Sequence, residues 1–262
     1  MLHRVSAKKG RARLKMDFRA IWSRPASVVL LTLLAQSALW SVPSFAETEK
    51  KLVEVIYPVQ GLVPYRERRP SHQMTFNFQY ENFLPQGFVS PTVGTSFNQT
   101  YSEVAAPILS GSIGWKYNVS VAGLELAAFY GNGGLISVQG GDKVSLDVSK
   151  YGLKFGAYLD TIMREPYVVP YGALQLQMWN ISEVNNTNKY SHTTGYALGY
   201  QVGALVQLNW VESDAALVAL NESGLTNTYL DFFLQSYGAP TDAADPNLAS
   251  EFNWGVGFRL EY

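Results

Sequence analysis

Apolar and polar side chains alternate with a period of two over most of the chain after residue 71. Such alternation indicates β-strands with one apolar and one polar face. In the first strand, Met74, Phe76, Phe78 and Tyr80 form the apolar face. Eight segments carry the pattern: 73–81, 109–117, 124–130, 151–159, 168–178, 196–210, 230–235 and 252–262.

The length of these segments and the position of their aromatic residues favour a membrane barrel over a soluble sandwich. Soluble strands typically run about 5–6 residues, whereas a membrane strand needs about 9–11. Large aromatic residues stand near the ends of the apolar faces, where membrane barrels carry interfacial girdles: Phe76, Tyr80, Trp115, Tyr117, Tyr196, Trp210 and Phe252. The sequence therefore predicts an all-β fold over residues 72–262, an eight-stranded antiparallel up-and-down transmembrane β-barrel.

The connections between the segments predict an orientation, since membrane barrels have long outer loops and short periplasmic turns. With the N-terminus in the periplasm, the long connections lie outside: 84–104, 131–142, 181–194 and 238–250. The remaining connections, 118–120, 160–166 and 211–224, then face the periplasm.

Two local features modify this simple pattern. Good helix formers run from Ser213 to a terminal Gly224, which predicts a short helix in this periplasmic turn; an extension of the adjacent strands is the alternative. The apolar face also changes parity between Val148 and Tyr151. This change predicts either a β-bulge or an upper strand half that stands above the membrane.

The first 46 residues have the features of a cleaved secretory signal peptide. A basic region precedes an apolar run from Val28 to Leu34, and Ser44-Phe45-Ala46 fits the cleavage rule. We therefore expect export through the Sec pathway and cleavage after Ala46; the start of translation is Met1 or Met16. This segment holds eight of the 20 basic residues and one of the 21 acidic residues. The chain after Ala46 therefore has 12 basic and 20 acidic residues, a net charge of −8. Such a chain has no electrostatic reason to bind nucleic acid.

Residues 47–71 form a polar, proline-punctuated segment before the predicted barrel. One interpretation is a periplasmic N-terminal arm without regular structure. The other is a segment that docks on the barrel or plugs it, with the apolar stretch 52–59 inside the lumen or added as a strand.

Composition excludes several other classes of protein. The mean hydropathy of −0.04 argues against a helical membrane protein, which would need several apolar runs of about 20 residues. The absence of cysteine excludes disulfide scaffolds and cysteine-bound metal sites.

The last strand resembles the C-terminal signal of bacterial outer-membrane proteins. Gly257 stands five residues before a terminal aromatic, Tyr262, with the apolar Leu260 two residues before the end. The segments Pro166-Tyr167 and 170–173 are similar to the strand openings of the OmpA/OmpW-like small-barrel superfamily. The resemblance implies a location in the outer membrane, insertion by the outer-membrane assembly machinery, and contact with membrane lipid and lipopolysaccharide. A monomer is expected.

Neither an enzyme nor a metal or cofactor site is predicted. In the lipid A deacylases among small barrels, His and Ser stand two apart on one strand face, whereas here Thr194 follows His192. No acid is clearly positioned by the sequence to complete a triad, so we interpret this stretch as a polar loop tip. Asp242 and Asp245 are too sparse for a calcium loop and are expected in an exposed acidic loop.

Six inward-facing charges are the remaining functional candidates: Glu81, Lys116, Glu125, Lys154, Asp231 and Arg259. Charges in a narrow lumen must be paired or solvated, and three acids with three bases favour mutual ion pairs. This predicts a non-enzymatic structural or interaction barrel with a largely filled lumen. The alternative is a narrow channel or a lateral path for small or hydrophobic molecules, lined by the inward aromatics Phe129, Tyr158, Tyr171 and Phe233.

Overall fold

The computed structural model describes residues 63–139 and 142–262. The described residues belong to one compact unit, Gln60–Tyr262. The predicted signal peptide and the stretch 52–59 lie outside the described residues. No described helix is long and apolar enough to cross a membrane.

Strands make up most of the described residues, with three short helices before or between them. The elements in chain order are α1 (Tyr65–Arg68), β1 (His72–Phe83), α2 (Phe97–Tyr101), β2 (Ala106–Asn118), β3 (Gly123–Gln139), β4 (Asp142–Tyr158), β5 (Val168–Val184), β6 (Lys189–Thr193), β7 (Ala197–Gln207), α3 (Ser213–Ser223), β8 (Asn227–Tyr237) and β9 (Ser250–Glu261).

The strands close into an antiparallel barrel of eight staves, which confirms the predicted fold. Apart from β6 and β7, which do not pair with each other, each strand pairs with the next along the chain, and β1 pairs with β9 to close the ring. β6 pairs with the last residues of β5, and β7 pairs with the first residues of β5. β6 and β7 together therefore form one stave. We call the end where β1 begins the short-turn end and the opposite end the long-loop end.

Two predicted outer loops are wrong, because the strands continue through them. β3 and β4 pair as far as Gln139 and Asp142, inside the predicted connection 131–142. β5 and β6 likewise form a hairpin inside the predicted connection 181–194. In the upper halves of β4 and β5 the alternation is inverted, with apolar residues such as Leu146 and Ile181 inside and polar residues outside. This inversion hid these strand halves from a pattern that assumes an apolar outer face.

Of the two interpretations of the parity change between Val148 and Tyr151, the bulge is wrong. β4 pairs with β3 and β5 in continuous register through this region. Val144, Leu146 and Val148 are buried on the same inward face as Lys150 and Lys154. The parity of the strand is therefore constant, and it is the apolar side that changes from the outside of the barrel to its inside.

The helix predicted in the connection 211–224 is confirmed as α3. It ends at Gly224, whose positive φ of 74° lets its N–H reach the carbonyl oxygens of the last turn. None of the residues of α3 is buried. The helix therefore lies at the surface of the short-turn end.

The outward faces of the strands carry a continuous band of exposed apolar side chains, which we call the outer band. Alternation along each strand produces it. It includes Phe78, Ile113, Leu126, Leu153, Phe155, Leu174, Leu176, Leu198, Val202, Phe232, Leu234 and Phe258. Exposed apolar surface on this scale is typical of a membrane or protein contact rather than of a free soluble surface.

Candidate functional site

All six predicted lumen charges are buried inside the barrel. Near the short-turn end, Arg259 of β9 forms an ion pair with Glu125 of β3 and, at 3.0 Å, with Glu261. Lys116 of β2 bonds to the same Glu261 carboxylate at 2.8 Å. Because β3 and β9 are three staves apart in an eight-stave ring, the Arg259–Glu125 pair crosses the lumen. We call Lys116, Glu125, Arg259 and Glu261 the charge network.

Aromatic rings fill the space beside the charge network. The Arg259 guanidinium lies 4.2 Å from the centre of the Tyr158 ring, and Tyr158 stacks on Tyr171 at 5.1 Å. The Tyr171 hydroxyl donates to Asp231 at 2.8 Å. Gly203 makes room for this arrangement, since a Cβ at that position would come within 2.7 Å of the Tyr171 ring.

A second ion pair crosses the lumen nearer the long-loop end. Lys150 of β4 lies 2.7 Å from Glu81 of β1, and the Tyr237 hydroxyl donates to the same carboxylate at 2.7 Å. β1 and β4 are again three staves apart, so this pair forms a second cross-lumen tie.

Lys154 is the exception among the predicted lumen charges. It is buried, and its Nζ forms no hydrogen bond or ion pair with any residue of the described ranges. The acidic groups that act on it electrostatically are Glu125 and Asp231. Gln177, diagonally opposite on β5, is also buried, and both polar atoms of its amide lack a partner.

Residues that precede β1 close the short-turn end of the barrel. Tyr65 of α1 is fully buried there, and its hydroxyl donates to Gln73 at 3.0 Å. Burial and the neighbouring carboxylates of Glu261 and Asp160 raise the pKa of Tyr65, so this hydroxyl stays protonated and remains a donor. We call residues 64–70 the end plug.

Arginines fasten the end plug to the rim of the barrel. Arg69 forms an ion pair with Asp160 at 2.7 Å, and the same carboxylate pairs with Lys116 of the charge network at 2.8 Å. Arg68 donates to the carbonyl oxygen of Thr226 at 2.9 Å. Arg68 and Arg69 therefore attach this segment to the barrel.

The long-loop end is filled by an apolar cluster rather than by water-accessible charge. The connection between β1 and β2 contributes Phe88, Phe97 and Tyr101 to it. These residues pack with inward side chains of the upper strands and of the last loop: Phe83, Ala106, Ile108, Val144, Leu146, Val148, Trp179, Ile181, Ala197, Tyr237 and Leu248. The first long loop thus folds into the barrel mouth.

A single carboxylate holds this first loop in place. Glu183 of β5 is fully buried and accepts hydrogen bonds from Ser90 Oγ at 2.9 Å and from the N–H and hydroxyl of Thr92. Tyr101 also donates to Glu183, and burial together with this bond raises the pKa of Tyr101. Neutral donors thus satisfy the charge without a lysine or arginine.

The solved structures similar to this chain are barrels of low sequence identity. The N-terminal β-barrel domain of Pseudomonas aeruginosa OprF is 14% identical, with a TM-score of 0.42 and coverage of 73% of this chain and 98% of that one. The outer membrane protein OprG of the same organism is 12% identical, with a TM-score of 0.43 and coverage of 73% of this chain and 96% of that one. Ail, the attachment invasion locus protein of Yersinia pestis, is 10% identical, with a TM-score of 0.41 and coverage of 73% of this chain and 97% of that one. No protein-family model and no curated protein sequence matches the chain.

His192 has an acidic partner, contrary to the prediction from sequence. It lies on β6 rather than at a loop tip, and its Nε2 is 2.6 Å from Asp245 Oδ1. The other oxygen of Asp245 accepts the Gly195 N–H at 2.6 Å. This His192–Asp245 latch ties the loop between β8 and β9 to the neighbouring stave. No serine or threonine hydroxyl of the described residues is hydrogen-bonded to His192, and no group of three metal-ligating side chains occurs in the described ranges.

The His192–Asp245 latch is expected to open in acid. The hydrogen bonds from His192 and Gly195 lower the pKa of Asp245. A carboxyl group whose pKa is lower in the folded than in the unfolded state stabilises the fold at pH values above its unfolded-state pKa, about 3.9 for Asp. This contribution is lost as the pH falls through the lower pKa of the folded state. The Gly195 amide proton, followed by NMR, should move upfield as the pH falls below about 4. Asp245→Asn should abolish the transition; a Gly195 shift indifferent to both changes would contradict the latch.

The predicted girdle residues all lie on the outer surface. Trp115, Tyr117 and Trp210 are exposed near the short-turn end, and Tyr196 and Phe252 near the long-loop end. Phe76 and Tyr80 are partly covered by Tyr262 and Trp254, whose ring centres lie 5.7 and 6.0 Å away.

Of the predicted assembly residues, Gly257 and Leu260 lie in β9, which pairs with β1, and Tyr262 follows its last residue. The backbone of Tyr262 pairs with that of Met74 in both directions at 2.9 Å. Gly257 allows close strand contact, since a Cβ there would come within 2.5 Å of the Phe78 carbonyl oxygen, and Leu260 is half-buried. Recognition by the assembly machinery remains a prediction.

Sequence reasoning missed several residues of the interior. Lys150 and Glu261 stand in phase with the predicted lumen charges, so strict alternation could have identified both. Tyr65, Asp160 and Glu183 lie in or beside segments without a usable period. Their roles depend on contacts between distant parts of the chain, and no local pattern signals them.

Proposed function

We propose that this chain is an integral outer-membrane β-barrel protein with a filled lumen and a non-enzymatic structural or interaction role. The outer band supports membrane insertion, because such a surface is favourable only in an apolar surrounding. Flanking aromatic residues at both ends support the same placement. The predicted signal peptide supports export.

The observation that carries the closed lumen is the pair of cross-lumen ties, Arg259–Glu125 and Lys150–Glu81. Each joins strands three staves apart, and aromatic rings fill the space beside the Arg259–Glu125 tie. The end plug and the first loop add a closure at either end. An eight-stranded barrel has an interior that side chains just fill, so the closure follows from strand number as well.

Long loops at one end and short turns at the other favour an orientation with the short-turn end in the periplasm. The interaction surface then consists of the first long loop, the β3–β4 and β5–β6 hairpins and the latched loop between β8 and β9. A non-enzymatic role is supported by the His192–Asp245 latch, in which the acid and the imidazole hold a loop rather than a nucleophile.

A narrow polar path is the second candidate, and one observation favours it. Lys154 and Gln177 are buried between the two cross-lumen ties and have no hydrogen-bond partner among the described residues. Buried polar groups are normally paired, with protein or with ordered water. Water in the layer of Lys154 and Gln177 would form part of a path for small solutes only if both cross-lumen ties opened.

Single-channel recording in planar bilayers tests the proposal. The wild-type chain should give no steady openings, and the double variant Glu125→Ala/Arg259→Ala, which removes one tie, should give more frequent current fluctuations. A heat-dependent shift in gel mobility confirms that each sample is folded. Steady wild-type openings whose size changes on substitution of Lys116 would overturn the filled lumen in favour of the channel.

A further inference from the structure

Helix α3 forms an apolar groove against the outside of the barrel. The floor of this groove is made by Leu208 and Thr228, which stand opposite each other at the ends of β7 and β8, where Leu208 N donates to the Thr228 carbonyl oxygen at 2.8 Å. Their neighbours Gln207 and Asn227 are buried inside the barrel. By alternation Leu208 and Thr228 therefore face outward.

The walls of the groove are small side chains. Ala215, Ala216 and Ala219 of α3 line it together with the floor residues, and the cavity has a volume of about 240 Å³. Alanine at these positions keeps the helix from filling the space with its own side chains. The result is a slot lined mainly by apolar atoms at the rim of the short-turn end.

The groove continues into the outer band. Above Leu208 and Thr228, the outward cross-strand pairs along the β7–β8 seam are Val206–Leu230, Ala204–Phe232 and Val202–Leu234. From 208 to 202 a strand rises about 20 Å, which at a tilt near 45° is about 14 Å along the membrane normal. One leaflet of the hydrocarbon core is about 15 Å thick, so the seam matches the depth of one acyl chain.

The rim of the groove is acidic. The stretch 211–224 contains Glu212, Asp214 and Glu222 but no lysine or arginine. Glu212 lines the groove, and no cation of the described ranges pairs with it. Arg68, which reaches the nearby Thr226 carbonyl oxygen, is committed to that atom and to Glu165. Trp210 and Val211, 59% and 66% exposed, flank the slot at the depth where amphipathic side chains anchor in the interface.

We propose that this groove binds one phospholipid with an amine headgroup, its acyl chain along the β7–β8 seam and its ammonium group beside Glu212. Continuity with the outer band supports the acyl chain, and the uncompensated carboxylate supports the ammonium group. The inference rests on the part of the proposed function that places the outer band in lipid; it does not depend on the closed lumen.

Native mass spectrometry of the full chain in detergent tests the site with defined phosphatidylethanolamine, phosphatidylcholine and phosphatidylglycerol. Wild type should retain one phosphatidylethanolamine, preferred about three-fold over phosphatidylglycerol. Ala219→Phe, which fills the groove, should lower retention about five-fold. Ala128→Phe on the outward face of β3 is the matched control and should leave retention unchanged. If Ala219→Phe fails to fold, the milder Ala216→Leu replaces it.

Glu212→Gln should equalise the three lipids, whereas Asp214→Asn, two residues further along the chain but outside the groove, should keep the preference. Equal loss in Ala128→Phe and Ala219→Phe, or no retained lipid in wild type, would overturn the site. A preference that survives Glu212→Gln would overturn the headgroup assignment. Conductance reports on the lumen alone, so failure of the filled-lumen proposal would be seen in the bilayer recording and not in lipid retention.

Discussion

Replacing Arg259 with methionine is expected to lower the free energy of unfolding by about 3 to 5 kcal/mol. The guanidinium is the shared partner of Glu125 and Glu261, and it also donates to Asn77 and Tyr158. Its loss leaves Glu125 without its ion-pair partner and leaves Glu261 with Lys116 alone. Removing one partner of a buried ion pair lowers the free energy of unfolding by more than the intact pair contributes, because an uncompensated charge stays in the interior.

Urea unfolding of the folded protein in detergent, followed by tryptophan fluorescence, measures this loss. Arg164→Met is the matched control: it removes the same side chain from an exposed pair with Glu67, and it should cost less than about 1 kcal/mol. The double variant Glu125→Gln/Arg259→Met removes one stranded carboxylate and should recover part of the stability. Equal losses for Arg164→Met and Arg259→Met would contradict the charge network as described.

Replacing Tyr65 with alanine is expected to release the end plug while the barrel stays folded. A fully buried aromatic ring contributes about 3 kcal/mol or more to the packing of its segment, and Tyr65 is the buried residue of α1. A loss of that much docking free energy raises the population of molecules with an undocked end plug about 100-fold. Trypsin should therefore cleave after Arg66 or Arg68 about 100 times faster in this variant.

Glu67→Ala is the control for the end plug, since Glu67 lies on the same helix but is exposed. Its removal breaks only the surface pair with Arg164, and trypsin cleavage should change little. Tyr65→Phe keeps the ring and loses the hydroxyl contact with Gln73, so its cleavage rate should lie between wild type and alanine. Cleavage of wild type as fast as of Tyr65→Ala would contradict a docked plug.

Strand number and closure could be predicted from the sequence because each membrane-depth strand carries its own alternation. The apolar Phe78 and Leu153 are each followed directly by a polar residue, Gln79 and Lys154. The barrel places the apolar residue of each pair outside and the polar residue inside. The same rule failed above Lys150, where Leu146 and Val148 point inward. There the interior is filled by Phe88, Phe97 and Tyr101 of the first loop, and alternation cannot show which side of a strand such a loop will cover.

The charge network was predictable in its members but not in its connections. Lys116 and Arg259 could be assigned to the interior from parity, yet Lys116 pairs with Glu261 and with Asp160, which lies beyond the end of β4. Which charges meet depends on the stagger of eight strands around the ring. Docking of the segment before β1 is one of two interpretations that the sequence allows, because it depends on Tyr65 entering a site assembled from Gln73, Asp160 and Glu261.

The most direct test of the filled lumen uses the absence of cysteine from this chain. Gln201 is buried in the lumen, hydrogen-bonded to Gln175 and Tyr171, whereas Thr187 is exposed at the tip of the β5–β6 hairpin. Gln201→Cys and Thr187→Cys are labelled with a small charged thiol reagent in lipid vesicles. The filled lumen predicts labelling of Gln201→Cys roughly 100-fold slower than that of Thr187→Cys, with equal labelling after denaturation. Comparable rates in the folded proteins would contradict it.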